Sequence, residues 1–302
     1  MNKKRILAVG SVAFDDVKTP SGEVKDALGG SATFFSASAR FFSPVSIVAV
    51  VGYDFPRKYL DLLRRLGVDT RGIELCEGKT FRWSGSYGRD LNTAKTLKTE
   101  LNVFQTFRPK ISKELKNCSS VFLANIDPDL QQSVLSQVIK PRLSACDTMN
   151  FWIKNKRTSL IRVIKKVDIF LCNEAEAREL SGQADLARAS KWILAHGPKL
   201  AVIKKGEKGA SCFSRDFAFS VPAFPLKKVV DPTGAGDSFA GGFLGYLTQA
   251  KRVGEAAVKN AIIYGSVLAS YNVESFSFDK VARLKRSDVE RRVKQFAGMT
   301  KF

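Results

Sequence analysis

Short apolar runs alternate with stretches of helical spacing along most of the chain. RILAVGSV (5–12) reads as a buried strand, SATFFSASARFF (31–42) as a helix and SIVAVVG (46–52) as a second strand. PRKYLDLLRRLG (56–67) has helical spacing and a glycine stop. Four more apolar runs, SVFLANI (120–126), LSACDTM (143–149), VDIFLCN (167–173) and LAVIKKG (200–206), are strand-like, with helical stretches between them. This alternation predicts an α/β chain whose mostly parallel sheet is covered by helices on both faces. GASCFSRDFAFSVPAF (209–224) reads as a hairpin added to that sheet.

Residues 73–107 break the rhythm. TFRWSGSYGRDLNTAKTLKTELNVFQTF alternates apolar and polar positions and carries glycine turns, so antiparallel strands are expected there. Together with FDDVKTPSGEVKDAL (14–28) they predict a small β appendage beside the main sheet. No repeat, low-complexity linker or other boundary divides the chain, so 1–302 is expected to be one domain.

Composition narrows the chemistry. No apolar run approaches the ~20 residues of a membrane span, so no membrane partner is expected. The basic-then-apolar start is too short for a secretory leader, and Asp15 and Asp16 follow at once, so it reads as the first buried strand. Five cysteines without paired spacing suit reduced thiols and a cytoplasmic setting. The net charge of +20 is spread over the chain without a nucleic-acid-binding motif; it reads as a solvated basic surface that would draw in an anionic substrate. The single histidine, His196, sits where a helix should end before Gly197 and Pro198. A multi-histidine zinc site is therefore impossible, and chemistry must rest on carboxylates, lysines, backbone amides or an incoming metal.

The most informative stretch is VVDPTGAGDSFAGGFLGYL (229–247). β-Branched residues lead into a glycine turn, an acid follows, and a small-residue helix begins. Unpaired first-turn amides and the positive end of the helix dipole make such a turn an anion hole. The P-loop pattern is absent, and Phe239 replaces the third glycine of a dinucleotide fingerprint. An anion hole at 234–237 with Asp237 beside it suits phosphoryl transfer: the hole takes the charge, and the carboxylate takes the alcohol's proton. The helix N-terminus is expected to keep Asp237 ionised. The structural alternative is an aspartate that merely caps the helix.

DPTGAGDSFAGGFLGYL resembles the C-terminal motif of the ribokinase-like, or PfkB, family of carbohydrate and nucleoside kinases. Further motifs follow the family's order: VGSVAFD (9–15), GGSATFFSASA (29–39), NEAEA (173–177) and IKKGEKGA (203–210). The resemblance implies a three-layer α/β/α fold with a small β-strand lid built from about 14–28 and 73–107. It implies transfer of the ATP γ-phosphoryl group to a hydroxymethyl group of a sugar or nucleoside, with ATP and Mg²⁺ as cofactors and a monovalent cation left open. Asp237 would be the base, and Gly234, Ala235 and Gly236 the anion-hole amides. Asn173, Glu176, Lys205, Gly206, Gly209 and Thr233 would lie along the nucleotide, with Glu176 reaching Mg²⁺ through water. Asp15, Gly29, Gly30, Phe34 and Asn125 would face the acceptor; Phe34 stands where many sugar kinases carry Asn. Asp147 and Asn150 match a substrate-side strand end loosely. Trp83 and Tyr87 would belong to the lid, as packing, as contacts with a second copy (such lids can pair in a homodimer) or as contacts with the substrate. A non-catalytic nucleotide- or sugar-binding regulator is the reading of another class.

Overall fold

A computed structural model describes residues 4–299; the outermost residues of the expected 1–302 domain, 1–3 and 300–302, lie outside the described residues. The chain opens with β1 (Ile6–Val9), then leaves for the hairpin β2 (Ala13–Thr19) and β3 (Gly22–Gly29). It returns through α1 (Ser31–Ala39), β4 (Val45–Gly52), α2 (Arg57–Arg65) and β5 (Val68–Cys76). A second excursion makes β6 (Arg82–Tyr87) and β7 (Ala94–Glu100). Alternation resumes with β8 (Ser120–Leu123), α3 (Pro128–Gln137), β9 (Leu143–Cys146), α4 (Asn150–Asn155) and α5 (Arg157–Ile164). It continues through β10 (Ile169–Asn173), α6 (Glu174–Ser181), α7 (Leu186–Ala195) and β11 (Leu200–Lys204). The hairpin β12 (Ala210–Phe213) and β13 (Ala218–Val221) precedes α8 (Ala235–Gln249), α9 (Glu255–Asn272), α10 (Asp279–Arg283) and α11 (Arg286–Met299).

Nine strands form the main sheet in the order β13-β12-β11-β10-β9-β8-β1-β4-β5, parallel except for the β12–β13 hairpin. Period-two alternation splits its side chains between two cores. Ile6, Ala8, Val202 and Ile47 pack on the side covered by α1, α8 and α9. Leu7, Val9, Ala201 and Ile203 pack on the side covered by α3, α5, α6 and α7. Each fully buried Leu, Ile or Phe contributes about 1.5–3 kcal/mol, so both helical layers are needed to cover a sheet this apolar. α8 lies close to α1 and α9 because small residues line it. A Cβ on Gly241 would lie 2.3 Å from the Phe35 carbonyl, and one on Gly242 would lie 2.8 Å from that of Tyr264.

The smaller sheet has the order β3-β2-β6-β7; β2 and β6 are parallel, and its other pairs are antiparallel. It is built from less of 73–107 than the alternation predicts. Val68–Cys76 runs parallel to β4 as the edge of the main sheet, with Val45 opposite Val68 and Gly52 opposite Cys76. Residues 73–76 therefore extend the large sheet, and the lid strands of this stretch begin at Arg82. His196 caps the C-terminus of α7, its Nδ1 2.8 Å from the Trp192 carbonyl.

Candidate active site

The glycine turn lies at the carboxyl end of the parallel strands, where open α/β sheets place their ligands. Its approach is fixed by buried hydrogen bonds. Val230 N–H donates to the Val273 carbonyl at 2.7 Å. The buried Asp231 carboxylate accepts from Thr233 N–H (2.8 Å) and Ser277 N–H (3.2 Å). Asn272 donates to the Thr233 carbonyl at 2.7 Å and accepts from the Ser238 hydroxyl at 3.0 Å. Gly234, at φ 73°, is the N-cap of α8 in the left-handed region, and a Cβ there would meet the Phe34 ring at 2.3 Å. The turn thus requires glycine twice over, by conformation and by space.

The first bond inside α8 runs from Ser238 N–H to the Gly234 carbonyl. Of the expected anion-hole amides, Ala235 N–H is taken by the Pro232 carbonyl at 3.1 Å, whereas those of Gly234 and Gly236 have no acceptor among the described residues. Asp237 is the third residue of α8, and no side chain caps this helix. The simple capping role is thereby removed. Phe34 is 2 % exposed and packs edge-on to Phe278 at 5.9 Å between centroids. From its place inside α1 it forms the back wall of the anion turn.

Charge converges on this turn. Lys204 ends β11 in register with Asn173 of β10, and its ammonium lies 2.5 Å from the buried Asp147 carboxylate. A Cβ on Gly236 would lie 3.1 Å from the Lys204 Nζ, so the lysine borders the anion hole. Burial works against the ammonium, but Asp147, Glu176 and Asp237 hold it well above its ordinary value. Lys205, expected at the nucleotide, extends toward Ser220, with its Nζ 3.5 Å from the Ser220 hydroxyl. Strand alternation carried the signal: Lys204 shares the parity of Leu200 and Val202, which pack on the α8 side.

Three carboxyl groups at this site, those of Asp237, Glu176 and Asp15, are shifted upward. Burial, then Asp147 and Asp15, push Asp237 up to about 8, against the opposing Lys204 ammonium and its own backbone amide. Loss of solvent and the two neighbouring carboxylates thus outweigh the helix terminus expected to favour the ionised form. Glu176 rises to about 7 through burial and Asp147. It also closes a capping box with Asn173: Asn173 N–H donates to Glu176 Oε2 at 2.7 Å, and Glu176 N–H to Asn173 Oδ1 at 2.8 Å. Asn173 and Glu176 thus serve the start of α6 while bordering the Lys204 cluster.

The turn after β11 is shaped by two glycines. Gly206 has φ 57°, and a Cβ on it would lie 2.8 Å from Asn92 Oδ1 at the β6–β7 turn. Gly209 has φ 89°, and a Cβ there would lie 2.0 Å from the Val221 carbonyl. The β6–β7 turn therefore reaches from the small sheet to this end of the cleft.

At the other end, the buried Asp15 carboxylate fills the space beside Gly29, where a Cβ would lie 2.0 Å from Oδ2. Gly30 has φ 97°, and its backbone amide favours the ionised Asp15 carboxyl. Burial, then Asp231, raise Asp15 to about 7, with Gly30 opposing. Asp16 accepts from Asp26 N–H at 2.8 Å and stays within the β2–β3 hairpin. Asn125 accepts from the Trp152 indole at 3.0 Å, and Asn150 donates to Glu179 at 2.6 Å; both amides are engaged by neighbours. Tyr87 reaches over the cleft to Thr233, whose Oγ1 lies 3.2 Å from the phenol. Sequence reasoning left Tyr87 between lid packing, contact with a second copy and contact with the substrate, and did not single out Lys204 or Asp231.

Among the described residues, no group of three or more His, Cys, Asp or Glu forms a metal cage. A turn with free amides, a bordering lysine and carboxylates fits a phosphate chain carrying a cation that keeps its own waters.

This fold and this glycine-turn site define a ribokinase-type small-molecule kinase. The chain belongs to the pfkB family of carbohydrate kinases, whose sequence model matches residues 2–280. Such enzymes are phosphotransferases acting on sugars or nucleosides with ATP. A cytidine kinase from Thermococcus kodakarensis is 30% identical over 246 residues, 79% of this chain and 87% of that protein. The nucleoside kinase of Methanocaldococcus jannaschii has a similar fold, with a TM-score of 0.79 at 19% identity over 98% of this chain and 100% of that one. Ribokinase II from E. coli, solved with ATP and Mg²⁺, has a TM-score of 0.78 at 20% identity over 97% of this chain and 99% of that one.

Proposed function

We propose that this kinase uses Mg²⁺-ATP to phosphorylate the hydroxymethyl group of a nucleoside. The carrying observation is the meeting of Asp237, the free amides of the α8 turn and the Lys204 ammonium at one end of a cleft whose other end holds Asp15. The match to a cytidine kinase along 87% of that protein supports a nucleoside acceptor over a free sugar.

Bound Mg²⁺-ATP supplies the phosphoryl group and part of the positive charge that stabilises it. The remaining work falls to the chain. Asp15 accepts hydrogen bonds from sugar hydroxyls and orients the hydroxymethyl group toward Asp237. Asp237 in its carboxylate form takes the hydroxymethyl proton as the new oxygen–phosphorus bond forms and the bond to the ADP oxygen breaks. The α8 amides and Lys204 stabilise charge on the transferring group. Glu176 and Asn173 hold the start of α6 against Lys204, and Glu176 is the residue placed to meet a hydrated cation. The small sheet closes the cleft against water.

The reading is tested by measuring ADP release from Mg²⁺-ATP with cytidine, adenosine, inosine, ribose and fructose. Turnover with a nucleoside supports it; turnover with free sugars alone overturns the nucleoside assignment. Nucleotide binding by calorimetry without any turnover would favour the regulator. Repeating the assay in K⁺ and in Na⁺ buffers decides the monovalent-cation requirement. A homodimer through the lid would use the β7 edge, where Leu97 is exposed, and sedimentation decides it. The five free cysteines suit the cytoplasmic setting that completes this reading.

A further inference from the structure

Tyr87 is the last residue of β6, and that strand runs parallel to β2 with Asp15 opposite Trp83 and Lys18 opposite Ser86. This register carries the phenol along the small sheet to the glycine turn. The same sheet is tied to the segment before the turn at two more points. Thr19 donates to the Val230 carbonyl at 2.8 Å and Ser21 to the Val229 carbonyl at 3.2 Å. The small sheet that carries the phenol is therefore tied to the turn and its approach at three points.

Its hydrogen bonding is incomplete. Thr233 Oγ1 donates to the phenolic oxygen, and no other described residue accepts the Tyr87 proton. Burial raises the phenol to about 12; the Thr233 bond opposes this, and Asp231, Asp15 and Asp237 add to it. The hydroxyl thus stays protonated across physiological pH. A sugar hydroxyl both donates and accepts. The carboxylates of Asp15 and Asp237 can take its hydrogens when ionised, but they give nothing to its lone pairs.

Resting on the kinase reading above, we infer that Tyr87 contacts the substrate: its phenolic O–H donates to a hydroxyl oxygen of the acceptor's sugar between Asp15 and Asp237. Tyr87 thereby makes the site selective for a hydroxylated sugar over a deoxy one. The donor comes from the small sheet, so sugar recognition and closure of the cleft occur together.

The test replaces Tyr87→Phe, which keeps the ring and removes the donor. Wild type and variant are compared with cytidine, 2′-deoxycytidine and 3′-deoxycytidine, or with ribose and its deoxy forms should ribose be the acceptor. ATP binding is followed by calorimetry. The expected result is a KM for the hydroxylated acceptor raised ~3- to 10-fold, with ATP affinity unchanged. The preference over one of the deoxy acceptors shrinks by the same factor. Equal losses with all acceptors would show a packing role and overturn the inference, as would an unchanged preference or a weakened affinity for ATP alone. Failure of the wild type to phosphorylate any acceptor would instead sink the kinase reading itself.

Discussion

Two lysine–carboxylate pairs show how differently the two ends of this molecule use charge. Lys204 and Asp147, 2.5 Å apart, have side chains only 17% and 4% exposed and border the anion turn. Lys98 and Glu100, 3.0 Å apart on β7, have side chains 66% and 40% exposed. The short distances look alike, but their surroundings do not. Water and salt screen the lid pair, and such pairs contribute about 0–1 kcal/mol. The cleft pair sits among Glu176 and Asp237, so removing Lys204 alone leaves buried acidic groups without their counter-charge. The catalytic end is thus an electrostatic cluster, whereas the lid is a sheet whose surface charges are replaceable.

That contrast can be broken most forcefully at Lys204. Lys204→Met should destabilise the ligand-free protein by about 3–5 kcal/mol at neutral pH, measured by urea unfolding. Adding Asp147→Asn should recover part of the loss, whereas independent effects would remove the cluster from the account. Next in size is Gly234→Ala, which forces a side chain into φ 73° and against Phe34. A loss of about 1–3 kcal/mol is expected from the backbone alone, with a larger loss in turnover.

The third test uses pH. Asp237, Asp15 and Glu176 have folded-state values near 8, 7 and 7, above their ordinary values of 3.8, 3.8 and 4.5. Folding therefore takes up protons at these groups. Their favourable contribution is full below the ordinary values and is lost as pH rises through the raised ones. The Tm of the ligand-free protein should fall between pH ~5 and ~8.5, and Asp237→Asn should flatten part of that slope. In kinetics, kcat/KM should climb as pH rises through the range of the coupled Asp15 and Asp237 carboxylates, because Asp237 must be ionised to take a proton. The smallest effect belongs to the lid: Lys98→Met should change stability by less than about 0.5 kcal/mol, within the scatter of a melting curve.

Much of this architecture is legible in the chain because the sheet's alternation is local. RILAVGSV, SIVAVVG and LAVIKKG declare buried strands by composition, and the glycine turn announces α8. Less legible were positions decided by neighbours distant in sequence. Residues 73–76 look like lid strand by alternation, yet pairing with β4 draws them into the main sheet. Phe34 sits at a motif position suggestive of substrate, yet Gly234, two hundred residues away, provides the surface it covers. Lys205 and Lys204 are distinguishable by strand parity, but the motif directed attention to the first. The charge state of Asp237 could not be read from its helix, because Asp147, Asp15 and Lys204 come from other elements.

The central claim is that Asp237 takes the acceptor's proton at the glycine turn. The most direct measurement is phosphoryl transfer by Asp237→Asn beside wild type, with ATP binding followed by calorimetry in both. The account predicts a kcat lowered ~10²- to 10⁴-fold with ATP binding nearly intact. A variant that kept most of its turnover would contradict it.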